Sequence, residues 1–97
     1  MNISMNDKTY DYILKHGAVF TVKPVVAACG WAGSTKYLWS EVSKAVDNEN
    51  IFNLFSYNDI KIYIHKGTNV QENIEILLKS NIPILGPNFA VKGVSLK

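Results

Sequence analysis

Arginine is absent from this chain of 97 residues, and all ten of its basic residues are lysines. A lysine ammonium cannot form the planar two-bond fork through which arginine reads guanine edges and clamps carboxylates. The formal net charge is +2, charged residues make up 19% of the sequence, and charges of one sign form no block. This composition argues against a nucleic-acid partner.

Cysteine occurs once, at Cys29, in a run of small residues that Trp31 interrupts. A single cysteine excludes a disulfide within the chain, and one thiolate does not hold a zinc ion or an iron–sulfur cluster, which usually need about four ligands. A thiolate is nevertheless a strong nucleophile and a soft metal ligand. Cys29 is therefore the candidate metal ligand, and the alternative is a small buried hydrophobe with an inert sulfur.

Long apolar runs are missing as well, since none approaches the roughly 20 residues of a membrane-spanning helix. Residues 1–8 also lack the basic segment and the apolar stretch of a secretory signal. We therefore expect no membrane association and a cytoplasmic location. With 47% hydrophobic residues, the chain is long enough for one compact domain over residues 1–97.

The sequence opens with a pattern typical of a short helix. Ser4 or Asn6 is a suitable N-cap, and an apolar stripe at helical spacing follows. His16 lies at the negative end of this helix, and Gly17 follows it as a terminating residue. The apolar side of the predicted helix consists of Tyr10, Ile13 and Leu14.

One strand and a hairpin are predicted from local patterns. Residues 18–23 form a strand that should stop or bend at Pro24, because proline cannot donate to a ladder. Residues 51–57 and 60–65 form a hairpin around the turn at Asn58 and Asp59. Apolar residues alternate with wetter ones over 60–65, which is typical of a half-buried strand. His65 ends that strand, and we interpret it as a solvent-facing residue.

Two segments remain ambiguous between helix and strand. Residues 37–46 and 68–79 carry apolar residues at both spacings, and Thr68 with Gln71 would make a capping box for a helix. Further on, Pro83, Gly86 and Pro87 break the chain. A last short strand follows them, with apolar residues at Phe89, Val91, Val94 and Leu96.

The order of these elements resembles the HesB/IscA-like family. The likeness runs from Tyr10 onward and is carried by the loop around Cys29, by the strand Asp59-Ile60-Lys61-Ile62-Tyr63-Ile64 and by Asn73-Ile74-Glu75-Ile76. The resemblance implies a mainly β fold with an N-terminal helix, a β-sandwich or pseudobarrel of two small sheets. It therefore favours a strand over residues 73–78. The sheets should enclose Phe20, Val22, Ile60, Ile62, Ile64, Ile74 and Ile76.

Family members of the iron–sulfur assembly type combine a mid-chain cysteine with a C-terminal Cys-Gly-Cys to bind iron or a cluster. Cys29 matches the first of these positions, whereas residues 86–97 contain no cysteine. The chain looks closer to a HesB-like branch with a paired cysteine or cysteine–selenocysteine motif in the early loop. Ala28 stands where the second thiol of that motif would be.

The resemblance implies a non-enzymatic accessory protein of iron–sulfur biogenesis, or a thiol- or metal-handling protein that uses Cys29. Iron or an iron–sulfur cluster is the implied cofactor, and iron–sulfur assembly proteins and a second copy of this chain are the implied partners. The alternative function is a protein–protein interaction module that kept the scaffold and lost the ligands. Its docking surface would consist of Trp31, Tyr37 and Trp39, since exposed rings suit partner binding.

Overall fold

Strands dominate the computed structural model of this protein, which describes residues 2–28, 33–82 and 86–96. The mainly β fold with an N-terminal helix and two small sheets is thereby confirmed. In chain order the elements are β1 (Asn2–Met5), α1 (Asp7–Lys15), β2 (Val19–Ala28), β3 (Ser34–Ser43), a 3-10 turn (Glu49–Ile51), β4 (Phe52–Tyr57), β5 (Ile60–His65), β6 (Thr68–Ile82) and β7 (Gly86–Leu96).

The strands form one sheet of three strands, in the order β1-β6-β7, and one of four, in the order β3-β2-β5-β4. Two pairings join strands that are distant in sequence. β1 runs parallel to β6, and β2 runs parallel to β5. The remaining pairs, β2–β3, β4–β5 and β6–β7, are antiparallel. β2 and β5 are thus the inner strands of the larger sheet, and β6 is the inner strand of the smaller one.

The core lies between the two sheets, with the helix closing one side. Ile60, Ile62 and Ile64 of β5 are buried in the core as the alternation predicts, but Tyr63 on the opposite, wetter face is buried as well. The predicted core set is confirmed in full, and Ile13 of α1 joins it. Its members are at most 1% exposed, namely Ile13, Phe20, Val22, Ile60, Ile62, Ile64, Ile74 and Ile76.

Helix α1 begins where the sequence predicts. Asn6 is the N-cap, and its side-chain oxygen accepts a hydrogen bond from the backbone N–H of Thr9 at 2.9 Å. Ser4, the alternative cap, lies in β1 instead. The sequence predicts that Leu14 lies on the apolar side of the helix with Ile13, and this prediction is wrong. Its side chain is 40% exposed, whereas Ile13 is fully buried. Nine residues make too few turns for a broad apolar face, so the helix buries a narrow stripe.

The other end of α1 also follows the sequence. His16 is the C-cap, and its Nδ1–H donates to the carbonyl oxygen of Tyr12 at 2.7 Å. Gly17 then adopts φ +127°, and a Cβ at this position would lie 2.1 Å from the backbone oxygen of Ser43. Glycine is therefore required here both by its dihedral angle and by the close approach of β3. Within the described residues no helix is long and apolar enough to cross a membrane.

Thr9 connects the helix to the three-stranded sheet. The residue is fully buried, and its hydroxyl donates to the side-chain oxygen of Asn6 at 2.6 Å. The same hydroxyl accepts a hydrogen bond from the backbone N–H of Leu78 in β6 at 2.8 Å. A register shift in the β6–β7 ladder follows Leu78 directly. A bulge of this kind leaves a backbone donor unpaired, and Thr9 satisfies such a donor.

The strand predicted to end near Pro24 continues to Ala28, so this prediction is wrong. Pro24 stands opposite Leu38 in the β2–β3 ladder. The pairing of β5 with β2 ends at Val22, and among the described residues no other strand pairs with that side of β2 at Pro24. A proline is tolerated where one side of a strand lacks a neighbour, because no ladder bond is lost there.

Both ambiguous segments form strands and neither forms a helix, although the first strand ends before the segment does. Residues 37–43 belong to β3, residues 44–46 follow it outside any strand, and residues 68–79 belong to β6. In β6 the alternating residues Ile74, Ile76 and Leu78 are buried, and the strand pairs with β1 on one side and β7 on the other. The capping box is absent, since the hydroxyl of Thr68 donates instead to the carbonyl oxygen of His65. Tertiary pairing therefore overrides the helical spacing.

The remaining differences concern short or interrupted strands. β1 was not predicted, since four residues are too few for a recognisable pattern. The last strand is longer than predicted, because it already includes Gly86 and Pro87. β7 is an edge strand, where a missing N–H is tolerated. The predicted break at Pro83 lies outside the described residues.

We predict that Thr9→Val destabilises the protein by about 1–3 kcal/mol, because the N–H of Leu78 would remain buried without a partner. Thr21→Val is the matched control. Thr21 is equally buried, but its hydroxyl has no hydrogen-bond partner among the described residues. Urea unfolding should show no loss of stability for Thr21→Val. Equal losses in both variants would contradict the role assigned to the Thr9 hydroxyl.

Candidate functional site

Cys29 and Trp31 lie outside the described residues, but the structure describes the strands on either side of them. β2 ends at Ala28 and β3 begins at Ser34, and these two residues pair in the antiparallel ladder. The segment that contains the only cysteine therefore connects the paired ends of two strands. The position of Cys29 as a metal ligand stays a prediction.

The part of this hairpin nearest Cys29 extends beyond the neighbouring strand β5. We call residues 23–28 and 34–39 the β2–β3 arm. β5 pairs with β2 only from Val19 to Val22, whereas β3 accompanies β2 to Ala28. Leu38, at the base of the arm, still packs against the core, but Val26 further out is 63% exposed.

Two of the three predicted docking residues lie together on this arm. Tyr37 and Trp39 are 38% and 46% exposed, and they alternate along β3 on one face of the sheet. The indole N–H of Trp39 donates to a carboxylate oxygen of Glu41 at 3.3 Å. Glu41 also forms an ion pair with Lys23 at 3.5 Å. Tyr37 and Trp39 thus share the outer face of the four-stranded sheet with a pair of opposite charges.

Metal ligands are not grouped in the part of the chain that the structure describes, where no three His, Cys, Asp or Glu side chains come close enough to hold an ion. His65 is half-buried rather than solvent-facing, with its ring edge-on to Phe52. Its Nδ1 accepts a hydrogen bond from the backbone N–H of Gly67 at 2.8 Å. With one cysteine in the sequence, the donors of a single chain do not fit an iron–sulfur cluster.

The outer face of the four-stranded sheet carries a small second cluster that the sequence analysis missed. Val19, Phe52 and Tyr63 are buried there, and Val46 from the β3–β4 connection packs on them. The hydroxyl of Tyr63 donates to a carboxylate oxygen of Glu49 at 3.4 Å. Burial raises the pKa of Tyr63, and the charge of Glu49 and this hydrogen bond raise it further.

Beside this cluster the β3–β4 connection covers a cavity of about 350 Å³ on the outer face. The sheet lines it with Thr21 and Lys23 of β2, Glu41 of β3 and His65 of β5. Sequence patterns gave no signal for this cavity, because its residues come from four separate segments. The alternation of β2, which places Thr21 and Lys23 on one face, is the available hint.

The CC/Se motif containing family matches this sequence over residues 1–91. The chain belongs to that family. No curated protein matches the sequence, and no solved structure does so either. The family name describes a cysteine motif, and in this member the only cysteine is preceded by Ala28 and followed by Gly30. This CC/Se family member therefore has no adjacent pair of cysteines.

We predict that Tyr63→Phe removes part of the alkaline loss of stability of this CC/Se family member. Because the pKa of Tyr63 is raised in the folded state, its neutral phenol contributes to the free energy of unfolding. This contribution is complete at pH values below the ordinary tyrosine pKa of about 10. This stabilisation is lost as the pH rises through the folded-state pKa, because ionisation is easier in the unfolded chain.

The measurement is the free energy of unfolding in urea between about pH 9 and about pH 11. The decline with pH should be steeper in the native protein than in Tyr63→Phe. Glu49→Gln is the matched variant, which keeps the phenol and removes the neighbouring charge, so its decline should lie between the other two. Identical pH profiles for all three proteins would contradict the interaction.

Proposed function

We propose that this protein is a non-enzymatic, HesB-like accessory of iron–sulfur biogenesis that acts through the thiol of Cys29. The iron–sulfur role rests on the sequence resemblance, and the choice of Cys29 is supported by the match over residues 1–91 to a family named for a cysteine motif. The one cysteine of this chain directly follows Ala28, the last residue of β2. The two-sheet β fold is consistent with the HesB-like scaffold that the sequence resemblance implies.

A binding role suits Cys29 better than a catalytic redox cycle. A thiol that is oxidised to a sulfenic acid needs a second thiol to resolve it as a disulfide. This chain contains no second cysteine, so the resolving thiol would have to come from another molecule. The proposal therefore assigns Cys29 to binding and places the protein in the cytoplasm, where thiols remain reduced.

Metal handling in this proposal requires ligands from outside the single chain. One thiolate supplies one ligand, whereas structural sites usually take about four. A two-fold dimer with the arms side by side would double every donor near its axis. Iron–sulfur assembly proteins are the other class of partner that would supply the missing thiolates. We derive no cluster chemistry from this chain alone, since its own donor set does not fit one.

We predict that protein purified without oxygen contains about one iron or zinc ion per two chains, and that Cys29→Ser contains none. Elemental analysis and sulfide determination measure the content, and size-exclusion chromatography measures the oligomeric state. Ser95→Ala, a small change in β7, is the control and should retain the metal and the dimer. Equal metal content in Cys29→Ser and the native protein would contradict the proposal.

A second candidate function is favoured by the exposure of Tyr37 and Trp39. An interaction module would use these rings to bind a partner protein, and its cysteine would be dispensable. A colourless, metal-free native protein that is unaffected by Cys29→Ser would favour this function over the first. The partially exposed indole of Trp39, with its N–H already bonded to Glu41, supports it.

For this second function we predict that Trp39→Ala lowers the free energy of unfolding by only about 1 kcal/mol, because much of the ring remains in water. Phe20→Ala is the comparison, since Phe20 is fully buried and its truncation should cost about 3–5 kcal/mol. Urea unfolding measures both. If Trp39→Ala costs as much as Phe20→Ala, the indole serves the core and no docking role remains for it.

A further inference from the structure

The cavity on the outer face of the four-stranded sheet has the size of a small-ligand site. Its volume of about 350 Å³ lies at the lower end of the range for ligand pockets, roughly 300–1,000 Å³. The sheet forms one side through β2, β3 and β5, and residues 45–48 of the β3–β4 connection form the other. None of the residues that line it belongs to residues 29–32, so the inference does not depend on the thiol of the proposed function.

Thr21 is the first sign that a polar ligand belongs in the cavity. The residue is 2% exposed and lines the cavity, and its hydroxyl has no hydrogen-bond partner among the described residues. Buried polar groups are almost always hydrogen-bonded, so an unpaired hydroxyl calls for an explanation. A polar group of a ligand in the cavity would give this hydroxyl a partner once the Thr21 side chain turns towards it.

His65, which also lines the cavity, provides a hydrogen-bond donor whose donating nitrogen is determined by its surroundings. Its Nδ1 accepts the backbone N–H of Gly67, so in the neutral ring the proton resides on Nε2. Phe52 lies edge-on to this ring and helps to hold its orientation. The imidazole is therefore prepared to donate a hydrogen bond to an acceptor such as a carboxylate.

Lys23 and Glu41 place opposite charges on the wall of the cavity, 3.5 Å apart. Both side chains are partly exposed, and ion pairs of this kind contribute little stability. A ligand with its own ammonium and carboxylate can pair with Glu41 and Lys23 respectively, and breaking the ion pair between these residues costs little free energy. Asp47, at the cavity edge, is a second acceptor for the ammonium group.

Part of the remaining lining is apolar, beside the polar Ser43 and Asn48, and this apolar part determines the remainder of the ligand. Val46, Ile51 and Phe52 line the cavity beside the charged groups. A side chain of moderate size would be buried against them, which favours binding in proportion to its apolar area. We propose that this cavity binds a small apolar α-amino acid, with its carboxylate towards Lys23 and His65 and its ammonium towards Glu41.

Isothermal titration calorimetry with L-leucine tests the proposal on the full chain. Isocaproate and isoamylamine are the matched probes, because each keeps the leucine side chain and carries one of the two charges. L-leucine should bind about tenfold more tightly than either, since each charge-assisted hydrogen bond contributes to affinity. No binding of L-leucine, which would leave water as the partner of Thr21, overturns the proposal. Equal binding of isocaproate or isoamylamine does so as well.

Variants locate the binding within the molecule. Thr21→Val, Lys23→Met and Glu41→Gln should each weaken L-leucine binding by about tenfold. Lys92→Met is the matched control, because it breaks an equivalent ion pair with Glu75 on the other sheet and should change nothing. Cys29→Ser should bind L-leucine like the native protein, which separates this site from the proposed thiol function. Unchanged affinity in Thr21→Val and Glu41→Gln would overturn the proposal even if L-leucine binds.

Discussion

The apolar layer shared by the two sheets is the constraint on which the rest of the structure depends. Ile62 and Ile64 of one sheet and Ile74 and Ile76 of the other are completely or almost completely buried in it. Removing this much apolar surface from water is the main favourable contribution to folding in so small a domain. The short helix completes the layer with Ile13, and the buried hydroxyl of Thr9 fastens it to β6. The outer face of the larger sheet is thereby left for other contacts.

That outer face has its own, smaller organisation. β5 contributes Tyr63 to it from between the core isoleucines, so the strand is buried on both sides at this position. The hydrogen bond from Tyr63 to Glu49 holds the 3-10 turn beside the sheet, and Val46 packs on the same cluster. The connection between β3 and β4 is therefore fixed at two points and leaves a polar cavity next to them. A pocket with such walls is preorganised, which lowers the entropic cost of binding.

The outer face also brings the candidate functions of this CC/Se family member into one region. Glu41 bonds to the indole of Trp39 and to the ammonium of Lys23. A partner that contacts Trp39 would thus affect the same carboxylate that lines the cavity. The β2–β3 arm continues from these residues to Ala28, directly before Cys29. Two exposed aromatic rings and a polar cavity are consequently reached along a single hairpin.

The sequence by itself determined the features that depend on neighbours in the chain. The N-cap at Asn6, the β4–β5 hairpin and the buried alternation of β5 follow from local residue chemistry and periodicity. Only the tertiary structure decided that 68–79 is a strand and that β2 continues through Pro24, because both depend on strands distant in sequence. The tertiary structure likewise decided that the hydroxyl of Thr21 has no hydrogen-bond partner among the described residues. Whether a buried group has a partner depends on atoms that folding brings together, and residue order does not contain that information.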